Sequence, residues 1–369
     1  MIKQEQQIRK VLMTADPLGG VWTYAMDLCR AFQIAGIGVE LASMGGPLSA
    51  HQHNELEQIP GVNLHESHLK LEWMDDPWDD VEVAGKWLLE LESETKPDVI
   101  HLNGYTHATL KWRAPVLVVA HSCVLSWWQG VLNEPAPASW SYYKQRVAAG
   151  LKAADAVVAI SNTYASMLNE LYGPIGGIQV IYNGREAAGF YETEKQQQLF
   201  AMGRIWDEAK NLGVLSQLHN ASKMPVYIAG DNIDPNTAEV VHIDNVKLLG
   251  KLSQQQVRAY LAASKYYVLP AKYEPFGLSA LEAALSGCIL ILAENPTLKE
   301  LWQNAALYFK PDDAEAIDAI LLNLENNPEQ ATEMARRAKQ RAQFFSLDRM
   351  SRSYQHLYQH LVQTQVLSN

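Results

Sequence analysis

The chain carries two successive series in which short β-rich apolar runs alternate with helix-length segments, and the alternation restarts once near the middle. The first series comprises residues 11–14, 39–43, 99–102, 116–120, 156–160 and 179–182. The second comprises 199–202, 226–229, 246–249, 266–269 and 289–292. Parallel neighbours need a long crossover, which a helix supplies, so this pattern predicts an α/β fold with mostly parallel sheets covered on both faces. Within the first crossover, Gly19 and Gly20 open a helix whose apolar positions Val21, Tyr24, Ala25, Leu28 and Phe32 recur near helical spacing, and Gly36 is its expected stop.

The segment NGREAAGFYETEK, residues 183–195, interrupts the apolar periodicity and places the boundary between two halves. A length of 369 residues also favours more than one core. Beyond residue 313 only helix is expected, and the last helix, about 347–363, is long enough to cross back to the first half. The division predicted is therefore 1–185, 186–345 and 346–369.

Composition narrows the function classes. The net charge of −11 argues against a nucleic-acid binder, which normally shows a clustered basic face. It also argues against permanent docking on an anionic membrane, while leaving room for peripheral contact through a local basic patch. The opening MIKQEQQIRK has no apolar stretch resembling a signal peptide, and no run approaches the roughly 20 apolar residues of a membrane span. Cys29, Cys123 and Cys288 are far apart without metal spacing, which suits buried thiols in a reducing compartment. A cytoplasmic location is the expectation.

The most informative segment is YEPFGLSALEAALSGC, residues 273–288. Glu274 precedes a Pro-Phe-Gly turn, a helix is predicted to start near Leu278, and Glu282 falls about one turn into it. A helix start offers free N–H groups and a positive dipole end, which suits a diphosphate. Spacing alone leaves two readings open: two carboxylates addressing one ligand, or two glutamates that favour the dipole with no ligand at all.

This segment closely resembles the signature of the retaining GT-B glycosyltransferases of family 4. The resemblance implies two Rossmann-like domains facing a deep interdomain cleft, with the donor held mainly by the second and the acceptor by the first. It implies that Glu274, with Phe276, Gly277 and Leu278, grips the donor sugar, and that Glu282 holds the ribose. AMGRIWDEAKNL, residues 201–212, resembles the family's strand-end arginine–lysine motif. Arg204 and Lys210 would then neutralise the diphosphate, since fixed cations stabilise the charge that grows on a departing phosphate. Gly19-Gly20 looks like the family's N-terminal glycine loop, though a plain β–α turn would use the same residues. His121, at the end of the run VLVVA, matches the family's histidine near the donor sugar; its alternative is a satisfied core imidazole. Gly250, in the turn 249–251, would lie near the nucleobase. Asn183-Gly184 resembles the family's N-G-x-D turn, with Glu186 replacing the usual aspartate.

The implied activity is transfer of a hexose from a nucleotide diphosphate sugar to a hydroxyl of a carbohydrate or small-molecule acceptor, with retention of configuration. UDP-glucose is the first expectation for the donor and GDP-mannose the second. Eight of the ten tryptophans precede residue 150, and some of them, notably around 71–80 and 122–130, are candidates for an acceptor groove because indole faces stack on sugar rings. Asp75, Asp76, Asp79 and Asp80 invite a metal reading, but GT-B enzymes rely on cationic side chains and helix dipoles, so no metal and no cofactor are expected. The alternative from another class is a catalytically silent nucleotide-sugar sensor or scaffold.

Overall fold

A computed structural model describes residues 7–219, 224–234 and 237–368. It divides into two compact units. The first comprises 1–126, 135–184 and 347–369, and the second 127–134 and 185–346. Residues 127–134, which the sequence boundary assigned to the first half, therefore group with the second.

The first unit is built on seven strands: β1 (Lys10–Ala15), β2 (Gly38–Ser43), β3 (Val62–Glu66), β4 (Val99–Leu102), β5 (Val116–Ala120), β6 (Ala156–Ala159) and β7 (Gln179–Val180). Their order is β3-β2-β1-β4-β5-β6-β7, and the pairs are parallel. The order reverses between β1 and β4, which is where open α/β sheets leave a crevice at the carboxyl ends of their strands. Strand β3 was not read from the sequence. Its pattern Val-Asn-Leu-His-Glu is polar and only half-buried, as suits an edge strand.

The helix Gly20–Ile34 buries Tyr24, Ala25, Leu28 and Phe32, the face its spacing predicts. The final helix, Leu347–Ser368, runs five residues past the expected end and belongs to the first unit. There Tyr358 Oη lies 2.5 Å from Nδ1 of the fully buried His101 on β4, whose Nε2 is 3.2 Å from Tyr24 Oη. Burial pushes the His101 pKa down to about 3, so the imidazole is neutral and bridges two tyrosines.

The second unit has six strands: β8 (Gln196–Met202), β9 (Val226–Ala229), β10 (Lys247–Leu248), β11 (Ser264–Leu269), β12 (Ile289–Ala293) and β13 (Leu307–Phe309). Their order is β10-β9-β8-β11-β12-β13, again parallel, with its reversal between β8 and β11. The predicted strand 246–249 contracts to two residues, and β13 was missed because only three residues of LYF pair. Leu199, Ile228, Tyr266, Val268 and Ile291 anchor a core that also takes in Ile317 and Leu321 of the helix Ala314–Asn326.

Candidate active site

In the second unit the loops following β8 and β11 are fastened to each other. Lys272 N–H donates to the Ala209 carbonyl at 2.9 Å, and Asn211 Nδ2 donates to the Pro270 carbonyl at 3.2 Å. Asn211 itself sits at φ +51°. Because β8 and β11 flank the sheet's reversal, these bonds set Lys210 beside Glu274 at the switch point, and their charged ends meet at 2.7 Å. Both side chains are largely buried.

The other carboxylate oxygen of Glu274 accepts from Gly277 N–H at 2.9 Å and from Phe276 N–H at 3.4 Å. Gly277 is the residue before the helix Leu278–Leu285, at φ +84°. A Cβ there would lie 3.2 Å from Leu298 Cδ2 and 3.3 Å from Glu274 Cγ, so both conformation and space call for glycine. Lys210, the Glu274 carboxylate and the amino end of this helix thus form one connected unit. Phe276 is buried edge-on against Phe345, at 5.6 Å between ring centres, and Leu278 begins the helix.

Arg204 pairs with an acidic residue of its own loop. Its Nε and Nη2 both donate to Asp207 Oδ2, at 3.1 and 2.5 Å, and its guanidinium lies 5.3 Å from the Trp206 ring centre. Asp207 also accepts from Ala209 N–H and so caps the short turn Glu208–Lys210. Arg204 and Lys210 therefore flank one turn, but Arg204 is half-exposed and bonded to its own loop.

Glu282 sits in a buried run, 280–285, and its Oε1 is 2.8 Å from Arg185 Nη2, with both side chains nearly inaccessible. Arg185 was not singled out from the sequence. Its place in NGRE signalled a turn, and nothing local connects it to residue 282. Glu186 accepts from Ala188 N–H and so caps the short turn Ala187–Gly189.

Three glycines meet at the carboxyl ends of β8, β9 and β10. Gly230 N–H donates to the Gly250 carbonyl at 2.9 Å, and Gly203 N–H to the Ala229 carbonyl at 3.0 Å. A Cβ on Gly230, at φ +148°, would lie 1.7 Å from the Gly203 carbonyl oxygen. Gly250 has φ +66° and open space where a Cβ would stand. Asp231 pairs with Lys251 beside it at 2.7 Å.

In the first unit, Gly19 precedes the helix Gly20–Ile34 at φ +79°, a conformation that glycine adopts most readily. His121 follows β5, with Nε2 2.8 Å from Asn103 Oδ1. The Asn103 amide is oriented by its surroundings: Nδ2 donates to the Thr14 carbonyl at 2.7 Å, and its backbone N–H donates to Thr14 Oγ1 at 2.9 Å. The oxygen thus faces His121, which makes Nε2–H the donor and leaves Nδ1 as the acceptor. Desolvation lowers the His121 pKa to about 3, and Tyr24 packs against the ring at 4.6 Å. Asn103 and Thr14 were not identified from sequence, since polar residues closing strands carry no distinctive spacing.

The acidic cluster in 75–80 resolves into local structure. Asp80 accepts from Lys70 N–H, and Asp79 and Asp80 occupy the first turn of the helix Trp78–Thr95, where acidic residues favour the dipole. No group of metal-binding side chains occurs among the described residues. Trp22 is core, bonded through Nε1 to Glu55, and Trp78 packs on Tyr142 and Arg146. Trp127 and Trp128 meet edge-on in the segment grouped with the second unit, where Gly130 lies so near Tyr273 that a Cβ would stand 2.5 Å from its ring. The three cysteines are buried and free. Among the described residues, no helix is long and apolar enough to cross a membrane.

Comparison with known proteins agrees with this architecture. Residues 18–188 match the profile described as Glycosyltransferase Family 4, and residues 191–341 match that described as Glycosyl transferases group 1. A glycogen synthase of Mycobacterium tuberculosis is 25% identical over 274 residues, covering 67% of this chain and 64% of its own length. The chain thus spans just under two thirds of that relative. Among solved structures, sucrose-phosphate synthase from Thermosynechococcus elongatus is similar with a TM-score of 0.80 and 18% identity, over 96% of this chain and all of that one. Anabaena Alr3699/HepE, solved in complex with UDP-glucose, is similar with a TM-score of 0.71 and 15% identity, over 98% of this chain and all of that one. Two parallel-sheet Rossmann-like units with these profile matches, which together span most of the sequence, identify the chain as a member of the family 4 glycosyltransferases, the glycosyl transferases group 1, with the GT-B fold.

Proposed function

We propose that this protein transfers a hexose from a nucleotide diphosphate sugar, UDP-glucose in the first instance, to a hydroxyl of a carbohydrate or small-molecule acceptor, without a metal and with retention at the anomeric carbon. The observation that carries this reading is the joined arrangement of Lys210, Glu274 and the Gly277 N–H at the sheet's switch point. A nucleotide sugar brings both a diphosphate for the lysine and sugar hydroxyls for the carboxylate. Anabaena HepE, solved with UDP-glucose, supports the choice of donor.

In the reaction, the bond between the anomeric carbon and the phosphate oxygen breaks while the acceptor oxygen attacks from the same face. The acceptor's proton passes to the departing diphosphate. Lys210 and Arg204 balance the charge that accumulates on that leaving group, where positioned cations have their largest effect. Glu274 accepts from hydroxyls of the hexose, and Glu282 from those of the ribose. His121 contributes a neutral imidazole whose Nδ1 accepts from a sugar hydroxyl.

The test is to incubate the protein with UDP-glucose or GDP-mannose and candidate acceptors, follow nucleotide release, and determine the product's anomeric configuration by NMR. Turnover that survives EDTA and yields a retained product supports the reading. An inverted product overturns the mechanism. Tight donor binding with neither transfer nor hydrolysis points to a sensor.

A further inference from the structure

The geometry points to Arg185 as a positioning residue that sets the carboxylate of Glu282 for recognition of the donor's ribose; this rests on the ribose role proposed for Glu282. Helix packing fixes the Glu282 backbone, because 280–285 is buried throughout, but it does not by itself fix the far end of a three-torsion side chain. That end is held by Arg185 Nη2 at 2.8 Å.

Arg185 is restrained in turn at several points. Its backbone N–H donates to the Phe345 carbonyl at 3.1 Å, and the residue forms a parallel bridge with Ser346. Its guanidinium lies 5.5 Å from the centre of the Phe190 ring. Arg258 approaches the same ring at 5.3 Å and would contact a Cβ at Gly189, so the segment 185–190 has little room to shift.

A nearly inaccessible carboxylate is costly to keep charged unless it has a partner, and arginine stays charged under all ordinary conditions. Arg185 therefore supplies both the orientation and the counter-charge. An ionised carboxylate has about four acceptor sites, so one that bonds a guanidinium can also accept from a hydroxyl. The chemistry recognised is a vicinal diol on the nucleotide's sugar, and the discrimination expected is against nucleotides that lack it.

The experiment measures binding of UDP, GDP and their 2′,3′-dideoxy counterparts to the full chain by calorimetry, for wild type, Arg185→Lys and Arg185→Gln, with thermal melts to confirm folding. Wild type is expected to prefer the ribonucleotide by on the order of 30-fold, the range of a hydrogen bond to a charged group. Arg185→Gln is expected to reduce that ratio to a few-fold while leaving dideoxynucleotide affinity nearly unchanged, with Arg185→Lys intermediate because it keeps charge without the planar fork. If both affinities fall together and the ratio persists, Arg185 has only a structural role and the inference is overturned. If wild type itself shows no preference, the ribose role of Glu282 fails first. If neither nucleotide binds, the functional proposal falls, and the inference with it. Should Arg185→Gln not fold, the ratio in Arg185→Lys decides.

Discussion

Lys210 Nζ and Glu274 Oε2 lie 2.7 Å apart, and the same carboxylate reaches the N–H of Gly277 at the mouth of a helix. The lysine is thus paired with the group expected to hold the donor sugar. Binding a diphosphate requires the lysine to share or exchange that partner.

Replacing Lys210 removes a cation from the leaving group and leaves Glu274 without its ion pair. Lys210→Ala is expected to lower kcat about 100- to 1,000-fold, the range for loss of one positioned charge-stabilising group. Steady-state kinetics with UDP-glucose check this. UDP should raise the melting temperature of wild type more than that of the variant, since only ligand bound to the native state stabilises it.

The glycines at the strand ends predict a graded stability response. Gly250→Ala meets open space and should cost only the left-handed backbone penalty, about 1 kcal/mol. Gly230→Ala forces a Cβ into the Gly203 carbonyl oxygen and should cost about 3 kcal/mol or more, or abolish folding. Urea denaturation of the two variants measures the difference.

His101 and His121 predict acid sensitivity. Both are held neutral in the fold with pKa values of about 3, whereas an unfolded histidine titrates near 6.5. Between those values the unfolded chain binds more protons, so stability is complete above about pH 6.5, declines as pH falls towards 3, and then levels off. Each histidine should contribute a loss of about 2 kcal/mol between pH 7 and pH 5. Comparing urea midpoints at these pH values for wild type and His101→Phe should show a shallower dependence in the variant.

Asn103 fixes the tautomer of His121, and Thr14 fixes Asn103. Asn103→Asp places a carboxylate against Nε2, which favours the imidazolium and should raise the His121 pKa by at least about one unit. Nitrogen-15 NMR of the labelled ring would show it, and activity should acquire a new acidic limb. An unchanged His121 titration would count against the assigned tautomer.

Sequence reading reached the two-sheet architecture because buried parallel strands are continuous apolar runs, as in VLVVA at β5 and the ILILA of β12. It missed β3 and β13 for the opposite reason: one is polar at a sheet edge and the other is only three residues long. The helix start at Leu278 was legible from the preceding Gly277, and the buried face of the helix Gly20–Ile34 from its period. What the sequence did not carry were partnerships between distant loops. Arg185 for Glu282 and Asn103 for His121 join segments far apart in the chain that only the fold brings together, whereas Asp207 lies three residues from Arg204 in the same loop.

The helix Leu347–Ser368 supplies Tyr358 to the buried histidine of β4, and it follows residues 185–346 in the chain. A ribosome must therefore finish residues 185–346 before the earlier sheet receives its covering helix. During translation the amino-terminal strands wait with one face incomplete, which makes that interval the point at which holding chaperones have most to protect. The later unit, whose own segments are nearly contiguous, can close first.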